Sequence, residues 1–266
     1  MNAEYILIPG AKAQHFFKST NKPAPDYPLY FAKYPVTNKL YRRFIDYLST
    51  GNAGVLTGES QEHLSFEKFA RSLLTLAQET EGFAKYLGTD PGKWADTLRS
   101  NYDDDKRFNG DEQPVVGITW FAAKAYCQWL SGMQKEKGKE QKESMGFRLP
   151  TEEEWEWAAS GGKREYPWEK GEPDETRANF GEKVGHTTPV GAYPAGATPE
   201  GLMDMAGNVW EWMENRYRED KGWLTLRGGS WFNLTDNLPC ADRNRNYPDN
   251  RNSYVGFRVA RAQSIS

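Results

Sequence analysis

Beyond Gly161 the sequence contains no stretch long or periodic enough for an extended helix or a long strand. Its segments are short, and Gly, Pro and aromatic residues punctuate them throughout. Such a region holds its shape only through internal hydrogen bonds, buried tryptophan or bound ions. The aromatic content fits that requirement: 14% of residues, with 10 Trp, against a hydrophobic fraction of only 38%. A loop-rich globular fold is expected, with core and clefts built from large flat side chains.

At 266 residues the chain is long enough to bury a substantial core. The formal charge of -3 gives no general reason to expect nucleic acid or an anionic membrane as partner. No apolar run reaches bilayer length, and the first residues lack the charged and apolar regions of a signal peptide. The chain as written is expected to be soluble and cytoplasmic, with a surface location open if a leader or fused domain is missing. Cys127 and Cys240 have no CxxC spacing and are expected as free thiols. His15, His63 and His186 are scattered and form no HExxH-like ligand pair.

Tyr5-Ile-Leu-Ile8 and Leu29-Tyr-Phe-Ala-Lys-Tyr34 are strand candidates. Thr37 is the expected N-cap of a helix whose apolar face is Leu40, Tyr41, Phe44, Ile45 and Leu48. Leu64, Phe66, Phe69, Leu73, Leu74 and Ala77 suggest an amphipathic helix inside an insertion at about 50–112, and residues 103–110 a polar loop. A further helix spans 120–133, with Trp120, Ala123, Cys127 and Leu130 on one face. Thr151 and Glu154 form a capping-box pattern, and the neighbouring glutamates are expected to line a solvated helix face rather than act as general acids.

Several phrases occur in order: Tyr34-Pro-Val-Thr-Asn38, Pro114-Val-Val-Gly-Ile-Thr-Trp120, Phe147-Arg-Leu-Pro-Thr-Glu-Glu-Glu-Trp-Glu156, Gly201-Leu-Met-Asp-Met-Ala-Gly-Asn-Val-Trp-Glu-Trp212, Arg227-Gly-Gly-Ser-Trp231 and Gly256-Phe-Arg258. Together they resemble the formylglycine-generating-enzyme, or sulfatase-modifying-factor, family, over residues 4–48 and 114–261. The resemblance implies one domain over 1–266: an α+β fold of the C-type lectin-like kind, with little regular secondary structure.

In the family's oxidases a cysteine pair after the Gly-Gly-Ser strand binds copper, since soft thiolates select Cu(I). The matching places here are Asn233 and Leu238, so copper is not expected. Sulfoxide-forming relatives carry an extra histidine-rich iron domain that this insertion does not match. The resemblance also implies a structural calcium ion held by Asp204, Gly207, Val209 and Glu211, since hard oxygen donors on a tight loop suit Ca²⁺. The alternative is that Asn208 and Glu211 simply bond to loop backbone. A second family calcium site would use Asn179 and Phe180, but lacks an acidic partner near residues 184–188.

The segment 228–258 resembles the variable region of diversity-generating-retroelement proteins, in which template adenines of AAC codons are mutated. Changing those adenines never yields Lys, Glu, Gln, Met or Trp, and all five are missing from residues 232–254. They are missing from 255–262 as well, so the gap alone does not delimit the run. An ordinary Asn/Asp-rich turn segment is the alternative.

The candidate ligand-binding residues are Phe232, Asn233, Leu234, Thr235, Asp236, Asn237, Asp242, Asn244, Asn246, Tyr247, Asn250, Asn252 and Tyr254. They combine adaptable polar groups with rigid aromatic area. Arg243 and Arg251 are expected to brace loops, and Arg258 to join a core polar network. The expectation is a non-catalytic binder of a protein or other macromolecule, with no nucleic acid partner and no membrane insertion. The alternatives are an oxidoreductase or maturation factor without the cysteine pair, and a regulatory domain detached from a larger signalling protein.

Overall fold

In the computed structural model, which describes residues 3–51, 65–133 and 146–262, the two ends of the chain meet in one sheet. Strands β1 (Tyr5–Ile8) and β2 (Leu29–Ala32) pair antiparallel, and β7 (Ala260–Ala262) pairs antiparallel with β2. A second sheet has the order β5 (Asn244–Asn246), β4 (Leu224–Arg227), β3 (Trp210–Arg216), β6 (Val255–Gly256), with only the β3–β6 pair parallel.

The helices obey local sequence rules. Helix α1 (Asn38–Thr50) is capped by Thr37, whose hydroxyl accepts from the Leu40 amide, and stops at Gly51 with φ 62°. The expected helix beyond residue 64 is α2 (Phe66–Glu79), capped by Ser65; Leu64 and His63 lie outside the described residues. The short helices α3 (Phe83–Leu87) and α4 (Trp94–Leu98) follow, then α5 (Trp120–Met133) and α6 (Glu152–Ser160).

The insertion is welded to the core. Phe69, Leu73 and Ala77 of α2, Phe83 and Leu87 of α3, and Trp94 and Leu98 of α4 share one apolar cluster with α1 and α5. Phe69 stands 5.4 Å from Tyr47, and Phe83 stacks on Phe121 at 5.0 Å. Aromatic pairs of this kind add about 0.5–1.5 kcal/mol each beyond their buried area. Cys127 lies in this cluster and Cys240 in another, and burial pushes both thiols well up.

One expectation about α6 is corrected. Thr151 and Glu154 do make the capping box, but Glu152, Glu154 and Glu156 are buried rather than solvated. The reason is a set of arginines, Arg148 just before the helix and Arg227 and Arg243 from 71 and 91 residues beyond their partners. Arg148 donates to both oxygens of Glu154 at 2.6 Å, and Arg243 grips Glu152 at 2.7 and 2.8 Å. Arg227, fully buried, donates to Glu156 at 2.7 Å. A buried carboxylate is tolerable only when so paired.

Burial alone would push Glu154 up, but Arg148, the Thr151 amide and the Tyr27 hydroxyl outweigh it and hold the carboxyl below its ordinary 4.5. A depressed folded-state value stabilises the fold above the ordinary carboxylate range, and that contribution is lost as pH falls through the folded value. Glu154→Gln is therefore expected to melt lower than wild type at neutral pH, with the gap closing as pH drops below 4.5. Melting curves against pH that stay parallel for the two proteins would refute this.

Candidate ligand-binding face

β4 ends at Arg227, and the chain turns through Gly228 and Gly229, with φ of 101° and 74°. A Cβ on Gly229 would stand 2.7 Å from the Asn237 carbonyl, so the turn requires glycine twice over. Trp231 then drops into the core. Its amide donates to Asn208 O at 3.0 Å, its indole N–H donates to Ser253 O at 3.1 Å, and its carbonyl accepts from Glu182. These bonds fix the direction in which the next residue points, and Phe232 emerges to solvent.

The thirteen candidate residues named above separate into two groups. Phe232, Leu234, Thr235, Asp236 and Tyr247 are exposed, while the asparagines, Asp242 and Tyr254 are half-buried. Asn233 accepts from Trp210 Nε1 at 2.7 Å and from Ser230 Oγ, and donates to Asn237 Oδ1 at 3.1 Å. Asn237 in turn donates to Asp242 Oδ2 at 3.0 Å. Asn246 donates to Asn252 Oδ1 at 2.8 Å and accepts from Asn250, and Asn244 Oδ1 accepts from the Arg245 amide. Much of the Asn-rich run is thus a frame of side-chain hydrogen bonds, and the outward contact surface is narrower than the run. Leu238, at the second cysteine-equivalent place, is fully buried.

Two aromatic groups back this frame. Tyr102, Phe108, Trp231, Phe232 and Tyr254 form a continuous chain of ring contacts at 5.3–5.8 Å, ending in a Phe232–Tyr254 stack. Phe108 comes from the segment read as a polar loop, whose apolar member packs beneath the face. On the other side Tyr247 borders a cleft of about 550 Å³ whose walls include Tyr86, Trp120, Phe121 and Leu224. Sequence reasoning missed this cleft, because its walls come from the insertion, α5 and β4. As expected, Arg243 and Arg251 are braces: Arg251 donates to Arg99 O at 2.7 Å and to Asn101 Oδ1 at 2.8 Å.

The calcium donor set does not fit an ion in this arrangement. Both oxygens of Glu211 accept from Arg258, at 2.8–3.0 Å, and Oε2 also accepts from Trp155 Nε1 at 2.8 Å. A cation drawing on Glu211 would therefore stand against a guanidinium. Glu211 binds side chains rather than loop backbone, whereas Asn208 does bond to loop backbone, at Thr188. Burial pushes Asp204 up to about 6, and one of its oxygens accepts from the Gly191 amide at 2.7 Å. Among the described residues no group of three or more His, Cys, Asp or Glu is placed to hold a metal. Excess chelator is expected to leave the melting temperature unchanged; a fall that added calcium reverses would overturn this.

The family model for the sulfatase-modifying factor enzyme 1-like domain matches residues 1–263. The chain belongs to that family. The serine/threonine-protein kinase pkn1 of Chlamydia caviae is 37% identical over 240 residues, covering 78% of this chain and 36% of that protein. The hercynine oxygenase of Mycobacterium tuberculosis is 36% identical over 171 residues, covering 56% of this chain and 37% of the relative. The inactive C-alpha-formylglycine-generating enzyme 2 of Bos taurus is 36% identical, covering 56% of this chain and 50% of the relative. The chain thus spans about a third to a half of the length of these curated relatives.

Among solved structures, PvdO from Pseudomonas aeruginosa aligns with a TM-score of 0.63 at 21% identity, covering 98% of this chain and 94% of the other. Treponema denticola variable protein 1 aligns with 0.60 at 21% identity, covering 97% and 94%. The fold is accordingly the C-type lectin-like fold of the sulfatase-modifying-factor family. The expectation of a protein without catalytic activity is corrected by these relatives, which include a named oxygenase in a family described as enzymes. Missing thiols at Asn233 and Leu238 bear on one chemistry only and do not exclude others. Among the described residues no helix is long and apolar enough to cross a membrane.

Proposed function

We propose that this member of the sulfatase-modifying-factor family is a ligand-binding protein, presenting residues 232–254 as a diversified contact surface to a protein or other macromolecule. One observation carries the reading: Phe232, Leu234 and Tyr247 are 49%, 70% and 53% exposed while standing on an internally hydrogen-bonded asparagine frame. Large apolar side chains held outward on a rigid base give contact area at little cost in conformational entropy. The excluded residue set between 232 and 254 supports diversification of the same segment.

The triple variant Phe232→Ser, Leu234→Ser, Tyr247→Ser should weaken a purified ligand by about a hundredfold or more, as loss of interface anchors does. Its melting temperature should stay within a few degrees of wild type. Unchanged affinity, or collapse of the fold, would sink the reading. For diversification the check is genetic: a reverse transcriptase gene and a near-copy of the 228–258 coding segment, differing at adenines, should flank the gene.

A second reading, catalysis as an oxygenase, is supported by the match to the mycobacterial enzyme. Turnover assays with hercynine and with cysteine-containing peptides, run with iron or copper and oxygen, decide it.

A further inference from the structure

Five arginines lie between residues 227 and 258, and four commit their guanidinium groups to the scaffold. Arg227 holds Glu156 and two carbonyls, Arg243 holds Glu152, Arg251 holds carbonyls and Asn101, and Arg258 holds Glu211. Arg245 differs. Among the described residues its guanidinium makes no hydrogen bond and no ion pair, although the side chain is exposed on the edge strand β5. It is nevertheless held in place, with its guanidinium carbon 4.9 Å from the Trp223 ring centroid and 5.3 Å from that of Tyr217.

The two rings are themselves fixed. The Tyr217 amide donates to Trp223 O at 2.9 Å, closing the hairpin between β3 and β4, and Arg243 sits over Tyr217 at 4.5 Å. Tyr247 meets Trp223 edge-on at 6.1 Å. A guanidinium resting against aromatic rings keeps its N–H donors at its rim, so these contacts orient the fork without using its hydrogen bonds.

The geometry points to Arg245 as the anchor for one carboxylate of the ligand, so that the face recognises a single aspartate or glutamate side chain of a protein segment. Its planar fork matches a carboxylate in a bidentate pair, the geometry in which arginine outperforms lysine. The surroundings favour a single negative charge over a polyphosphate. The other cations are offset: Arg218 and Lys221 share Asp220, with Glu219 supplying the second negative charge of that turn, Arg243 pairs with Glu152, and Asp249 stays exposed. No cationic field is left to hold a multiply charged anion.

This deepens the ligand-binding reading and rests on it, but its test does not need the natural ligand. Acetyl-Gly-Glu-Gly amide, which carries one carboxylate, should shift the Arg245 Nε–H resonance when titrated against isotope-labelled protein. Acetyl-Gly-Gln-Gly amide should not. Arg245→Gln should weaken the glutamate peptide about tenfold or more, and Arg245→Lys should lose most of the same affinity by keeping the charge but not the fork. Added salt should weaken binding to wild type. Phe232→Ser with Leu234→Ser should leave this titration intact, so failure of the wider binding face and failure of the arginine anchor are separable. The inference is overturned if wild type does not bind the peptide, if Arg245→Gln binds it as well as wild type does, or if inorganic phosphate displaces it at equal concentration.

Discussion

Replacing Arg258 by methionine is expected to lower the free energy of unfolding by about 3–5 kcal/mol, the range for breaking a buried ion pair from one side. Arg258 and Glu211 are both fully buried, and the guanidinium also donates to the carbonyls of Ala32, Lys33, Met203 and Asp204 at 2.8–3.3 Å. One side chain thus ties the end of β2, the 203–204 turn and β3 together. Among the described residues the variant leaves the Glu211 carboxylate with only the Trp155 indole N–H, and it takes a donor from the carbonyls of Ala32, Met203 and Asp204 and from that of Lys33, which keeps the Met203 amide. Adding Glu211→Leu should recover part of the loss, because it removes the uncompensated charge. Urea denaturation of both variants measures this. A loss under 1 kcal/mol for Arg258→Met, or a double variant weaker than the single one, contradicts the account.

Gly207→Ala should be the second severe change, costing about 3 kcal/mol or more from a strained backbone and an unavoidable contact. Gly207 has φ 77°, and a Cβ there would stand 2.4 Å from the Asn179 carbonyl oxygen. That oxygen also accepts from the Asn208 amide at 2.8 Å, so moving it aside breaks a buried hydrogen bond. A fall of roughly 6–12 °C in melting temperature is expected for a domain of this size. Gly201→Ala supplies the control: Gly201 has φ 99° but nothing within 4 Å of a Cβ, so it isolates the cost of φ. Equal losses at the two positions would show that the contact with Asn179 contributes nothing.

The local signals translated directly into structure. Thr37, Ser65 and Thr151 cap helices because their hydroxyls meet amides within the next turn, a geometry that a few consecutive residues specify by themselves. Likewise, residues 120–133 fold as one helix with Cys127 inside. The glutamates of α6 show the converse. Helical periodicity placed them near a cap, but their burial depends on Arg148, Arg227 and Arg243, up to 91 residues away. Phe108 posed the same problem: in a charged stretch it looks like a loop residue, yet it packs against Trp231 at 5.8 Å.

The ordered motifs, read as sequence, determined the family and the lectin-like fold, and set off residues 232–254 as an Asn-rich segment, because each motif is a local turn, cap or strand end. Only the tertiary structure decided how that segment is divided. Polar residues that look alike in sequence became frame, as Asn233, Asn237 and Asn246 did, or surface, as Thr235 and Asp236 did, according to whether a side-chain partner stood within 3 Å or so. Arginines that look alike became braces or, at Arg245, a free fork according to whether a carboxylate or carbonyl from elsewhere in the chain reached them. Side-chain hydrogen bonding is settled by neighbours in space, and the residues around Arg245 and Arg243 are brought there by a hairpin, an edge strand and a helix distant in sequence.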